Sequence, residues 1–177
     1  MATVDEIFTT LNNHMIQGLM FHDDMRKYYS FLGLNGYRKT HENHYMHENK
    51  NYINLYQFYM DHYERLIPQV EIAVDPVVPK NWYKYKKIDV DANTKRNAIK
   101  SGIELWVKWE TDTKKLLCDS YKQLIELGEI ASAKYIEELI EDVDGELLYA
   151  KNKQAYLIDI DYDLIQISVD QKELYME

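Results

Sequence analysis

Cysteine is almost absent from this chain of 177 residues. The single Cys118 allows neither an internal disulfide nor a CxxC metal or redox pair. Proline is nearly as scarce, with Pro68, Pro76 and Pro79 all inside twelve residues, and there are only 6 glycines. Disordered, collagen-like and disulfide-scaffold classes are thereby excluded. No window approaches 18 apolar residues, so no membrane span is expected. The opening MATVDEIF lacks the basic start of a secretory leader, which makes a reducing cytoplasm the expected compartment. Positive charge is short as well: 21 Lys and Arg stand against 30 Asp and Glu, a formal charge of −9. That balance opposes direct nucleic-acid binding and favours a basic protein partner. There is no glycine-rich phosphate loop and no HExxH. Nothing around Cys118 would depress its thiol pKa, so nucleophilic catalysis is unsupported.

What is present is helical periodicity. A length of 177 residues suits one domain that buries about two-thirds of its unfolded surface. Ile7, Leu11, Met15, Gly18, Phe21, His22, Met25, Tyr29 and Leu32 recur at spacings of three and four, which predicts a first helix capped by Thr3 or Asp5. Gly33-Leu34-Asn35-Gly36 supplies the left-handed positions of a tight turn. A second, antiparallel helix follows, with an apolar face of Tyr45, Met46, Tyr52, Ile53, Tyr56, Tyr59, Met60, Tyr63 and Ile67, and Pro68 is expected to end it.

After the proline-bearing stretch, a third helix starts near Asn93-Thr94 and turns Ile99, Ile103, Trp106, Trp109, Leu116, Leu117, Tyr121 and Leu124 inward. Gly128 breaks it. The fourth carries Ile130, Ala133, Ile136, Leu139, Ile140, Val143 and Leu147. Two short hairpins joined by a connection of about 25 residues match the one-crossover arrangement of four-helix bundles. In that connection Lys80, Lys84, Lys86 and Lys87 with Trp82, Tyr83 and Tyr85 form the only basic, aromatic run, read as a solvated loop.

The tail changes period. Ile158, Ile160, Tyr162 and Leu164 alternate with Asp159, Asp161 and Asp163, then Ile165, Ile167 and Val169 continue on the opposite parity. This predicts an extended arm or strand over 156–177, appended to a bundle over 1–155. Asp159, Asp161 and Asp163 have calcium-loop spacing, but Leu164 stands where that loop needs Gly, so they read as an acidic strand face.

The LNNHMIQGL of the first helix, HENHYMHENKNY of the second, the crossover and ASAKYIEELIEDVDGEL of the fourth together resemble the ferritin-like superfamily over about residues 5–152. The resemblance implies an all-α ferritin-like four-helix bundle. It also implies a di-iron pattern: Glu from the first helix, Glu-x-x-His from the second, Glu from the third and Glu/Gln-x-x-Glu/His from the fourth. Carried onto this chain, that pattern falls on Gly18, Glu48-x-x-Asn51, Glu110 and Val143-x-x-Glu146, with Asp144 on the flank. Hard carboxylates suit iron or manganese. With several ligands missing, the cofactor expectation is none, or iron or manganese held at a rearranged mononuclear site of His22, Glu48, Glu110, Asp144 and Glu146.

Each of these has a plainer reading. His22 and His14 can be core imidazoles bonded to a carboxylate or hydroxyl, and Glu110 a buried acid paired with His22, a Tyr or a Lys. His41, His44 and His47 step about 60° apart per three residues, which turns His41 inward and His47 to water, so no converging triad is expected. Three functions follow as expectations. The first is a non-enzymatic interaction protein, phage- or mobile-element-encoded, whose acidic surface engages a basic or nucleic-acid-binding partner such as a host defence nuclease. The second is a metal-binding oxidoreductase. The third is a self-assembling stress-related protein, and a homodimer stays open.

Overall fold

The computed structural model describes residues 2–68 and 90–176. Five helices occupy most of these: α1 (Val4–Phe31), α2 (Asn35–Tyr63), α3 (Ala92–Glu126), α4 (Ile130–Asp159) and α5 (Leu164–Met176). Thr3 starts α1 through a capping box, its hydroxyl accepting from the Glu6 amide while the Glu6 carboxylate accepts from the Thr3 amide at 2.8 Å. Asp91 caps α3 by accepting from the Thr94 amide at 2.7 Å. Gly33 and Gly128, at φ +74° and +79°, make the α1–α2 and α3–α4 turns in the left-handed conformation that glycine adopts without strain. α2 closes at Tyr63 with Glu64 left-handed, four residues before Pro68, so the proline is not what ends it.

The helix directions follow from cross-bundle contacts. Tyr28 of α1 donates to the Ala98 carbonyl of α3, and His14 meets Thr113. As α1 is followed forward α3 is followed backward, and α1 is likewise antiparallel to α2. Helices α2 and α3 are therefore parallel, with the end of one and the start of the other at opposite ends of the bundle. This is the one-crossover topology. Pro76, Pro79 and the Lys80–Lys87 run lie outside the described residues.

The core has two apolar halves. One gathers Ile7, Phe8, Leu11, Leu55, Tyr59, Leu117, Leu124, Ala133 and Ile136; the other gathers Met25, Tyr29, Leu34, Ile99, Ile103, Ala150, Leu157 and Ile167. Between them lies a waist where α1, α2, α3 and α4 contribute polar side chains. The expected face of α2 needs correction there. Met46 and Ile53 are exposed, while His41, Glu48 and Leu55 are buried, because the inward positions in the middle of α2 are polar.

The tail is helical, not an extended arm or strand, and α4 continues through 155 and 156 to Asp159. What reads as strand alternation is a helix–turn–helix. Asp161 and Tyr162 take positive φ, and Asp163 accepts from the amides of Ile165 and Gln166 at 2.9 Å, capping α5. Helix α5 then docks on the start of α2. The Tyr37 amide donates to Gln171 Oε1 at 2.9 Å, and the Tyr37 hydroxyl to Asp170, which also receives Lys153 Nζ. None of the described helices is long and apolar enough to cross a membrane.

Gly36 makes this docking possible, since a Cβ there would stand 2.6 Å from the Gln171 carbonyl oxygen and 3.0 Å from its Cα. Backbone cannot swing aside as a side chain can. Gly36→Ala should therefore cost about 1–3 kcal/mol, read as a lowered Tm and faster amide exchange over 164–172. Gly145→Ala, whose Cβ would meet nothing within 4 Å, should leave both unchanged or slightly improved.

Candidate metal centre

The waist is built from groups that water would normally hold. His22 and Glu110 are fully buried, His41 is 1% exposed and Glu48 7%. His22 Nδ1 lies 3.0 Å from His41 Nδ1, so one ring donates and the other accepts. Burial, reinforced by the neighbouring histidines, holds both imidazoles neutral, well below the usual range. The ring of Tyr29 stacks on His41 at 5.3 Å, and Trp106 packs against its other neighbours at 4.7 Å from His41 and 5.0 Å from His44.

Glu110, on α3, accepts from Trp106 Nε1 at 2.9 Å and faces His22 Nε2 at 3.8 Å. Its second oxygen, Oε2, and His22 Nε2 are buried without a hydrogen-bond partner. Burial, together with the charges of Glu146 and Glu48, pushes the Glu110 carboxyl up to about 9. Glu48, on α2, is raised to about 8 by burial and then by Glu146. Glu146, on α4, goes the other way. Although burial works against its charge, hydrogen bonds from His44 Nδ1 at 3.3 Å and His47 Nδ1 at 2.9 Å hold it down at about 2. Of the three acids, one is ionised near neutrality and two are predominantly protonated. Among the described residues, none of the three has an ion pair with Lys or Arg; the basic side chains beside Glu110 and Glu146 are histidines.

Four of the five residues singled out from the sequence thus meet at one level: His22, Glu48, Glu110 and Glu146. Asp144 does not. It lies 47% exposed and pairs with Lys114 at 2.5 Å on the outside of the α3–α4 pair. The space expected over Gly18 is filled as well. A Cβ on Gly18 would stand 3.2 Å from the Trp109 ring and 3.4 Å from the Glu48 carboxyl. Trp109 itself is stacked between His14 at 4.5 Å and Phe21 at 5.1 Å. His14 settles on its plainer reading: its Nε2 bonds to Thr113 Oγ1 at 2.7 Å, and burial lowers it to about 4. The opening displaced from Gly18 reappears lower in the waist. Glu48, Asn51, Glu146, Thr113 and His14 surround a cavity of about 20 Å3, measured for the centre of a water-sized sphere, with Leu117 and Leu139 closing it. That is room for one water or one ion.

Sequence reasoning missed the parts played by His44 and His47. Viewed on α2 alone they diverge, but Glu146 enters from α4 and both rings close on its Oε1. The signal was antiparallel register: Tyr63 meets Ser132 at the far end of the same helix pair, and stepping back along α2 while stepping forward along α4 brings 47 to 146.

A di-iron pattern is not complete here, because Gly18, Asn51 and Val143 replace three of its ligands. The donors left fit one hard cation: carboxylates on three helices, a buried imidazole edge, and orphaned atoms at His22 and Glu110. Among the described residues no three His, Cys, Asp or Glu side chains already stand around a common point as a finished site, so binding requires side-chain rotation.

No protein-family model matches the chain, and no curated protein matches it in sequence. Solved structures do match in fold. An open-pore ferritin from the hyperthermophilic archaeon Archaeoglobus fulgidus superposes with a TM-score of 0.80 at 15% identity, covering 98% of this chain and 96% of that one. A humanized archaeal ferritin gives 0.79 at 15% identity, with 98% and 95% covered. A PmFTN variant soaked in iron gives 0.75 at 9% identity, with 94% and 95% covered. With its parallel second and third helices and the fifth helix at the end of the bundle, this chain has the ferritin-like four-helix fold.

Proposed function

We propose that the waist of this bundle binds one divalent metal ion, iron or manganese, through Glu48, Glu110 and Glu146, with His22 supplying a nitrogen beside Glu110. The observation that carries this reading is the pair of buried carboxyls, raised to about 8 and 9, with Glu48 and Glu146 lining a cavity sized for one ion and Glu110 Oε2 and His22 Nε2 buried without a partner in the same waist. Burying an acid with no cation is unfavourable, and a waist of leucines would be more stable in its place. A divalent ion exchanges for the two protons on Glu48 and Glu110 without adding net charge. Hard oxygen donors with one imidazole favour manganese or iron over softer ions. An iron ion so held would supply one-electron chemistry toward dioxygen; the chain's own part is to hold the ion dry, with Trp106 fixing one Glu110 oxygen. The acid-surfaced, partner-binding reading rests on the net charge of −9 alone.

Titrating metal-free protein with Mn2+, followed by calorimetry and electron paramagnetic resonance, should show one saturable site per chain. Glu48→Gln and Glu110→Gln should each weaken it at least about tenfold with helicity retained, as expected for loss of a charged ligand, whereas Asp144→Asn should leave it unchanged. Absence of saturable Mn2+ or Fe2+ binding, or binding indifferent to Glu110→Gln, rules the proposal out.

The same two acids set a pH dependence for the metal-free protein. Their folded pKa values lie above the usual 4.5, so the native state binds more protons than the unfolded one between about 4.5 and 9. Their contribution is full below 4.5 and is lost as pH rises through 8 and 9. His14, His22 and His41, depressed in the fold, act oppositely: stability falls as pH drops below 6.5. Denaturant melts should peak near mildly acidic pH. Glu110→Gln should remove about 1.4 kcal/mol per pH unit from the alkaline slope.

A further inference from the structure

The structure assigns a second, outer metal site to His44, His47 and Glu146, suited to a borderline divalent transition ion such as zinc or cobalt. It goes beyond the manganese or iron reading, and it shares Glu146 with the inner site without needing that site to be filled.

The three side chains converge without yet standing around a common point, so an ion would be taken up with rotation of the two rings. His44 and His47 sit three residues apart on α2, and both present Nδ1 to one oxygen of Glu146, at 3.3 and 2.9 Å. Zinc bonds of 2.0–2.1 Å in a tetrahedron place neighbouring donors about 3.3 Å apart. The two histidine-to-Glu146 separations need to change by only a few tenths of an ångström, while the rings must rotate to aim both lone pairs at one point. Each ring would bind through the Nδ1 lone pair as the neutral Nε2–H tautomer, a ring that starts as Nδ1–H exchanging its proton to Nε2 through solvent and a doubly protonated ring releasing its Nδ1 proton. Glu146, held ionised by the same histidines, would provide the third donor.

Two further features favour an ion over a plain hydrogen-bonded triad. The far nitrogen of His47, Nε2, lies 3.8 Å from Asp142, one helical turn before Glu146 on α4. At that distance Asp142 is an electrostatic neighbour, close enough to take the Nε2–H of a metal-ligating ring after a small rotation, as metal-bound histidines characteristically do. Above the triad, α2 and α4 part to form a groove of about 380 Å3, bordered by Lys39, Thr40, Asn43 and Tyr149 and floored by His44 and Glu146. The wall is open at Gly145, where even a Cβ would touch nothing within 4 Å. An ion can therefore reach the triad from solvent and keep an open fourth position for water or a small ligand. Two imidazoles and one carboxylate with an open position suit zinc or cobalt, while the oxygen-rich interior suits harder ions.

Co2+ reports this directly, because nitrogen-ligated four-coordinate cobalt absorbs intensely in the visible. Untagged full-length protein, metal-free, should bind Co2+ with such a spectrum, by one ion per chain more than His47→Gln or His44→Gln binds. His47 is 40% exposed, so its replacement should fold normally. Asp142→Asn should weaken the site several-fold, and His62→Gln, at the distant end of α2, should not affect it. Glu110→Gln should keep the outer ion while losing the inner one, which separates failure of this site from failure of the inner site. Equal Co2+ stoichiometry in wild type, His44→Gln and His47→Gln overturns the proposal, as does a visible spectrum lost in Glu110→Gln but retained in His47→Gln.

Discussion

Burying acid at the middle of a helical bundle is the constraint around which this structure is arranged. Between two apolar halves, three carboxyls and several imidazoles share one level from which water is largely excluded. Three ionised acids there would repel one another and forfeit their hydration. The fold resolves this unequally. His44 and His47 settle their hydrogen bonds on Glu146 and keep it charged, while Glu48 and Glu110 retain their protons. His22 and His41 share a single proton along their own contact and stay neutral. The waist carries its one ionised carboxylate, Glu146, only because the other two acids keep their protons and the inner imidazoles stay neutral.

The surrounding architecture makes that division possible. Antiparallel pairing within each hairpin, and the parallel run of α2 and α3, bring residues 18–22, 41–48, 110 and 146 to the same depth. Glycine at position 18 lets the Trp109 edge and the Glu48 carboxyl approach the backbone of α1. Trp109, held flat between His14 and Phe21, then fills the place from which α1 would otherwise contribute a side chain. Far from the waist, α5 clamps the start of α2 through Gln171 and Asp170. It thereby steadies the end of the helix that carries His41, His44 and Glu48.

Most of this plan was legible where apolar spacing and burial coincide. The inward faces of α1 and α3, including Glu110 at the centre of its face, follow from periods of three and four. Ile130, at the first position of α4, is the exception on that helix, since it lies beyond the end of the packed bundle and is 63% exposed. α2 resisted, because its buried middle consists of His41 and Glu48 while Met46 and Ile53 face outward; a hydrophobic stripe is a poor guide where the interior is polar. The tail resisted for a different reason. Alternating Ile and Asp imitate a strand, yet Asp163 is a helix cap and Asp161 a left-handed turn residue, roles that depend on backbone angles invisible in the pattern. Glu48 and Glu146 were reached through the register of the ferritin-like resemblance, which also placed Asp144 on the flank; its pairing with Lys114 is a surface contact that no register reveals.

Charge counting explains why the remaining donors suit one ion where the di-iron pattern serves two. Two divalent ions carry four positive charges, and a pattern with a carboxylate from each of four helices neutralises them. Here α1 offers Gly18 in place of an acid, and Glu146 is already engaged by two histidines. Glu48 and Glu110 remain, with two protons to surrender against the two charges of a single ion. Counting ionised Glu146 with Glu48 and Glu110, three carboxylates would face the four charges of two interior ions and leave about one positive charge unbalanced in a low-dielectric setting, a costly arrangement. An ion at the outer edge meets no such obstacle, because solvent in the groove between α2 and α4 screens it and Asp142 stands nearby. With Gly18, Asn51 and Val143 contributing no charge to the proposed interior site, further positive charge is better held at the rim of the bundle, where solvent reaches it.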